Sequence, residues 1–328
     1  MGFARGASRF ARAIRVTSAF ALGSGLMLDP SDAQAYCRTT TAAAPPSYDP
    51  VKNGCIESGL VLFWRGACVT YAVERSGAPG LSFEETSSIV DRGFATWQNA
   101  RCAAGDRVGI ELVNLGAVEC TEVRYNPGSP NQNLIVFREE SWPYNDAANT
   151  LGLTTITFNA ETGEMYDADM EINATAGSLS FSDIAPANGF DLLSVVTHEA
   201  GHFLGLAHAT NNTSTMFVSY KPGTTTLRSL APEDVEGVCA IYPNAKTRVV
   251  DSSVASGGTL LADACNPVPR HGFTTECGEA AAEEKGSCRV APKSGSSSRG
   301  APLSLGFLGG IAATFAVLRR ARRQRRSG

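Results

Sequence analysis

Histidine is scarce in this chain, with four in 328 residues. Nine cysteines are present, yet no two are spaced Cys-x-x-Cys, which removes the usual sequence mark of a zinc–cysteine site. A basic excess is lacking as well, with 28 lysines and arginines against 32 acids. The deficit deepens once the two ends are set aside. Without the four arginines and two aspartates of residues 1–35 and the six arginines of residues 319–326, 18 basic residues face 30 acidic ones, a net of −12. Such a balance repels a phosphate backbone and argues against a nucleic-acid partner.

What histidine there is lies almost all in one place. The stretch HEAGHFLGLAH, residues 198–208, holds three of the four. His198 and His202 are four apart, so on an α-helix they stand one above the other on the same face. Two imidazoles so placed can share one tetrahedral zinc at about 2.0–2.1 Å per nitrogen. Glu199 lies beside that face without pointing straight at the ion, which suits a base acting on water rather than a ligand. His208 would point away if the helix continued, since six residues turn it by about 600°, or about 240° around the cylinder. Gly205 is the residue that can end the helix, because it adopts φ > 0 without steric cost. The chain can then return His208 as a third ligand and leave the fourth position to water, the pattern of a catalytic zinc.

The full pattern H-E-x-x-H-x-x-G-x-x-H resembles that of the metzincin metalloproteases, and more closely their matrixin branch. The resemblance implies His198, His202 and His208 as zinc ligands, Glu199 as general base and Gly205 as the helix-breaking turn. By itself Met216, in NNTSTMFVSY, reads as a core methionine. Eight residues after His208, it takes by resemblance the place of the methionine turn beneath the metal. Tyr220 stands where a pocket-lining tyrosine follows that turn. The likeness extends to SFEETSSIVDRGFATWQ, read as a first helix with a Ser82–Glu85 capping box and a stripe of Ile89, Val90, Phe94 and Trp97. It extends also to LAPEDVEGVCAIYP, read as a last helix with Pro232 at its first position. In all it covers residues 60–243. The implied fold is α+β, a twisted mixed sheet of about five strands with three helices, the zinc motif lying on the active-site helix.

Three features depart from the family's pattern. Ala209 follows the third histidine, where the metzincin branches carry a family-marking residue. No second histidine cluster precedes His198, so a structural zinc has no visible ligands. No cysteine-switch motif is seen, and Cys55, in KNGCIES, is the residue that leaves latency through a thiolate open.

CVTYAVE, GIELVNL and NLIVFRE are short β-rich runs that suit a sheet. LGLTTITFN and MYDADMEIN follow, joined by AETG, as neighbouring strands. In the last, Tyr166, Ala168, Met170 and Ile172 alternate with Asp167, Asp169 and Glu171, which predicts a strand with one wet face. Those three carboxylates suit a solvated face or, as in some matrixins, an oxygen-ligand site for calcium. By resemblance, residues 151–159 form the exposed edge along which an extended polypeptide substrate pairs by strand addition.

The ends read as addresses rather than fold. Arg5, Arg9, Arg12 and Arg15, then the apolar VTSAFALGSGLML, then Ala33-Gln34-Ala35 mark residues 1–35 as a secretory signal peptide cut before Tyr36. Residues 36–59 form a short N-terminal segment. Residues 244–287, rich in glycine, alanine, serine and acids, read as a cysteine-containing appendage or linker in which His271 is a surface residue. From Cys288 to the end (288–328), a polar spacer, the apolar run 301–318 and the arginines of 319–326 resemble the tripartite MYXO-CTERM sorting signals of secreted bacterial proteins. That resemblance implies processing near Cys288 by C-terminal processing machinery and attachment to the membrane or cell surface; a plain tail anchor is the alternative. The remaining eight cysteines are enough for four disulfides in an oxidising compartment, with Cys102–Cys120 and Cys265–Cys277 as local pairings.

The expected function is an exported or surface-anchored endopeptidase with one catalytic zinc, and with calcium as a further candidate ion. Two other readings remain. One is a non-catalytic, zinc-keeping surface adhesin on the same fold, which the intact Glu199 disfavours. The other is a zinc hydrolase of a non-peptide bond, which the resemblance disfavours.

Overall fold

Five β-rich runs form one sheet, close to where their composition marks them. The computed structural model describes residues 36–45, 47–175, 179–180, 187–250 and 258–277. β1 (Cys68–Glu74), β2 (Glu111–Val118), β3 (Leu134–Arg138), β4 (Gly152–Phe158) and β5 (Met165–Asn173) lie in the order β2-β1-β3-β5-β4. β1 pairs in parallel with β2 and β3, and β3 with β5, while β4 runs antiparallel to β5. This is the mixed five-stranded sheet that the α+β reading expects.

Among the described residues three longer helices pack with this sheet, besides a four-residue helix at Pro50–Asn53. α1 (Phe83–Gln98) carries the Ser82–Glu85 capping box: Glu85 N donates to Ser82 Oγ at 3.2 Å and Ser82 N to Glu85 Oε2 at 2.9 Å. Its buried stripe contains Ile89, Val90, Phe94 and Trp97, each stabilising the fold by about 1.5–3 kcal/mol on leaving water. α1 crosses α2 (Leu192–Phe203) closely, for a Cβ on Gly93 would meet Val196 Cγ1 at 2.6 Å. Across the same contact Trp97 Nε1 donates to Thr197 O at 2.7 Å. α3 (Pro232–Ile241) begins with Pro232 in its first turn, where the missing N–H costs nothing.

The main core lies between these helices and the sheet face bearing Tyr71, Val73, Ile135 and Met170. The other face is covered too. Ala72, Val118, Leu134 and Val136 form a smaller core there, packed by Leu115, Val123 and Phe273. Asp167, Asp169 and Glu171 project to this side and are buried, at 2%, 1% and 0% exposure. The expected wet face of β5 is therefore dry. Residues 119–133 and the C-terminal segment lie over it, with Glu119 N donating to Thr275 O at 2.6 Å and Asn131 N to Gly272 O at 2.9 Å.

The described parts of residues 244–287, read as an appendage, contribute to this cover and are pinned to it by disulfides. β6 (Thr247–Val249) and β7 (Thr259–Leu261) pair antiparallel, and the fully buried Arg248 donates to the carbonyls of Trp64, Gly66 and Gly109. The disulfides are Cys37–Cys55, Cys68–Cys265, Cys102–Cys239 and Cys120–Cys277. The local pairings Cys102–Cys120 and Cys265–Cys277 are thus replaced by long-range ones, because the returning chain lies beside α1 and the sheet. Cys55 is bonded to Cys37, so its thiolate is not available to a metal. Among the described residues no helix is long and apolar enough to cross a membrane. Residues 1–35, read as a signal peptide, and the C-terminal region with Cys288 and the run 301–318, read as a sorting signal, lie outside the described residues.

Candidate metal centre and active site

Asp191 caps the start of α2 by accepting from Ser194 N at 2.8 Å. The helix carries His198, Glu199 and His202 and ends at Phe203. Gly205 then adopts φ +91°, and its N–H donates back to His202 O at 2.8 Å. A Cβ on Gly205 would also come within 2.9 Å of Leu62 O, so the position demands glycine twice over. Carbonyls left open by the helix end meet buried donors: Trp64 Nε1 reaches Phe203 O at 2.7 Å and the Tyr242 hydroxyl reaches Leu204 O at 2.8 Å. The N-terminal segment clamps the turn, with Thr39 N donating to Gly205 O and Ala207 N to Cys37 O, both at 2.9 Å.

The turn brings His208 back onto His198 and His202. Ligand atoms of the three rings lie within 4.8 Å of one another, and His198 Nε2 is 3.2 Å from His208 Nε2. Two nitrogens on one tetrahedral zinc stand about 3.4 Å apart, so the spacing fits. The tautomers fit as well. His198 Nδ1 donates to Thr215 O at 2.6 Å and His202 Nδ1 to Leu206 O at 2.9 Å, an assignment that follows from both partners being carbonyls. Each Nε2 is thereby left with its lone pair for a metal. Burial pushes all three imidazoles down, His202 to about 3 with His198 adding to the shift, which favours the neutral, metal-binding form. The donor set and its protonation suit zinc.

Met216 lies beneath this group, buried at 2% exposure. Its turn is organised by a residue that sequence reasoning missed. Asp234, in the first turn of α3, accepts from Thr215 N at 2.7 Å, from Ala231 N at 2.8 Å, from Met216 N at 3.3 Å and from the Ser214 hydroxyl. Ala209 N donates to Met216 O at 2.8 Å and ties the turn to the third histidine. The acidic pair Glu233-Asp234 following Pro232 is a helix-start signal, but nothing in it points 18 residues back.

Glu199 is buried and faces β4. Its Oε2 accepts from the Thr154 hydroxyl at 2.7 Å, and a Cβ on Gly152 would meet its Oε1 at 2.7 Å. Burial pushes its carboxyl up to about 7, while the Thr154 hydrogen bond pulls the other way. An open cleft of about 380 Å³ begins at His198, Glu199 and His208 and runs between Leu151, Val195, Phe217, Val218, Tyr220 and Leu227. Tyr220 thus lies on the cleft wall, with its hydroxyl donating to Thr224 O. Next to Leu227 in the chain, Arg228 pairs with the buried Asp191 at 2.5 Å and links this segment to the cap of α2.

Asp167, Asp169 and Glu171 do not gather into a comparable set. Glu171 accepts from Arg138 Nε at 2.6 Å and from the Tyr144 hydroxyl, while Asp169 Oδ1 accepts from Leu134 N at 2.8 Å. Among the described residues, His198, His202 and His208 form the group of three whose ligand atoms converge.

The matrixin sequence model matches residues 63–243, more than half of the chain. The chain belongs to the matrixin family. It is similar to Matrix metalloproteinase-20 of Homo sapiens, 26% identical over 183 residues that make up 55% of this chain and 32% of that protein. It is similar also to Metalloendoproteinase 1-MMP of Arabidopsis thaliana, 26% identical over 190 residues, 57% of this chain and 46% of the other. With Probable matrix metalloproteinase 095L of Invertebrate iridescent virus 3 it shares 34% over 162 residues, 49% of this chain and 39% of the relative. The chain therefore spans less than half the length of these relatives. At the level of the family, a matrixin is a zinc metalloendopeptidase, and the three-histidine group is where this one has the donors for the ion.

Proposed function

We propose that this matrixin is an exported endopeptidase that cuts polypeptides bound in extended form, with one zinc on His198, His202 and His208 and with Glu199 as general base. The observation that carries the reading is the meeting of three imidazoles with a buried carboxyl group at the end of a cleft, beside the outermost strand of the sheet among the described residues. His198, His202 and His208 would hold the zinc, which would supply Lewis acidity towards a carbonyl and a water. Glu199 takes the proton from that water and hands it to the leaving amine. β4 is the terminal strand of the sheet, paired on one side by β5, and its outer edge offers backbone groups to a substrate strand. The walls of Leu151, Val195, Val218 and Leu227 receive an apolar side chain next to the scissile bond.

Four disulfides support export into an oxidising compartment. Attachment at the surface after processing near Cys288 is supported by the sorting-signal resemblance. Digestion of casein by the purified protein, with and without a chelator, tests the reading. Cleavage should disappear on chelation, and Glu199→Ala should keep one zinc per chain while losing cleavage. Cleavage that survives Glu199→Ala overturns the base assignment. Zinc bound without any cleavage favours the adhesin reading instead. Mass spectrometry of the mature protein gives both termini and so decides the processing.

A further inference from the structure

A glutamate on a helix has three rotatable side-chain bonds, so a base at this position needs something to hold it. The zinc motif does not provide that. β4 does, from 45 residues away. Thr154 is buried at 3% exposure, and its hydroxyl lies 2.7 Å from Glu199 Oε2 and 3.3 Å from Glu199 O. A hydroxyl has one proton to donate, and the shorter contact to the charged oxygen takes it. The other carboxylate oxygen faces Gly152, where a Cβ would come within 2.7 Å of Oε1, 2.9 Å of Cγ and 3.0 Å of Cδ. Gly152 and Thr154 are two apart on one strand and so project to the same face. Glu199 and Gly152 both line the cleft.

We propose that Thr154 and Gly152 are positioning residues for the Glu199 base: the Thr154 hydroxyl ties down Oε2, and the bare Cα of Gly152 leaves Oε1 free to face the cleft. The two oxygens thereby take different roles, one anchored and one presented to the substrate side. The strand whose outer edge suits an extended peptide also sets the base, so substrate register and base position share one element. The kinetic part of this inference rests on the protease reading above.

The test uses the full-length mature protein and its Thr154→Val, Thr154→Ser and Gly152→Ala variants. Each is first matched to wild type in zinc content and melting temperature. With a fluorogenic peptide, Thr154→Val should lower kcat by about 10- to 100-fold, as loss of a hydrogen bond to a charged group predicts, with KM within about twofold. Thr154→Ser, which keeps the hydroxyl, should recover kcat to within about threefold of wild type. Gly152→Ala, if it folds, should lower kcat in the same way; if it does not fold, the Thr154 pair decides. A second measurement needs no turnover. Infrared difference spectra against Glu199→Gln isolate the Glu199 carboxylate band, which should shift in Thr154→Val and stay in place in Thr154→Ser. An unmoved band in Thr154→Val, or a serine variant as impaired as the valine one, overturns the inference. A wild-type protein that cleaves nothing overturns the protease reading, while the infrared result still decides whether Thr154 holds Glu199.

Discussion

Gly201 lies so close to Met216 that a Cβ built on it would sit 2.2 Å from the methionine Sδ and 2.7 Å from Trp97 Cζ2. The middle of the HEAGH run is thus a packing site as well as a helix turn: a bare Cα lets the methionine and the tryptophan of α1 close beneath the histidines. Alanine would raise helix propensity by about 1 kcal/mol. Overpacking against two buried neighbours costs about 1–3 kcal/mol, so the second effect is expected to win. Gly201→Ala should lower the melting temperature and weaken zinc binding, read by thermal unfolding and by competition with a chromogenic chelator. An unchanged melting temperature would show that the floor can yield.

Asp234 should be as sensitive from the other side. Replacing it with alanine strands the buried Thr215 N–H and removes the acceptor of the Ser214 hydroxyl and of the half-buried Ala231 N–H, while Met216 N–H keeps Ser214 Oγ at 2.9 Å. The expected loss is about 3–5 kcal/mol in urea unfolding, with weaker zinc binding because Thr215 O orients His198. Asp234→Asn keeps one acceptor oxygen and should fall between the two. Equal stability of the alanine variant and wild type would refute the role given to this side chain.

Arg228→Ala would leave the buried Asp191 carboxylate without its ion pair. A fully buried pair broken in this way costs about 3–5 kcal/mol, but Arg228 keeps a fifth of its surface in water, so about 2–4 kcal/mol is expected. Because Arg228 follows Leu227, which lines the cleft, on one short helix, KM should rise more than kcat falls. A variant with unchanged KM would separate the ion pair from the cleft.

The buried pair Asp167 and Asp169 carries a pH signature. Burial pushes Asp169 up to about 8, and burial with the neighbouring Asp169 charge pushes Asp167 well above the usual carboxylate range. Unfolded, both titrate near the ordinary value of about 3.9. Between these limits the folded state holds more protons than the unfolded one. The stability from this pair is therefore fully present below about pH 4 and is lost as pH rises through about 8. Asp167→Asn removes one charge from the pair. In chelator-treated protein it should be about 1–3 kcal/mol more stable than wild type at pH 8, with a smaller gain at pH 5. The histidines titrate in both proteins and cancel in the difference. A gain that does not change with pH would rule out a raised carboxyl here.

Much of the centre is legible in the chain because its parts are close in sequence. Helix geometry turns the spacing of His198 and His202 into a shared face, and the same geometry demands a break before His208, which Gly205 supplies. The β-rich runs and the Ser82–Glu85 box are local signals of the same kind. The acidic face of β5 shows where such signals stop. Alternation says that two faces differ, but not whether water or another stretch of chain covers the second.

The sequence by itself determined the metal-binding pattern, the helix starts and the strand runs, since these follow from bond geometry and from neighbours within a few positions. Tertiary structure alone decided that Cys68 pairs with Cys265 across 197 positions, that Asp234 holds the methionine turn, and that Thr154 meets Glu199. Those contacts depend on how the sheet and helices stack, and no periodicity within a single segment encodes which distant side chain will arrive at its face.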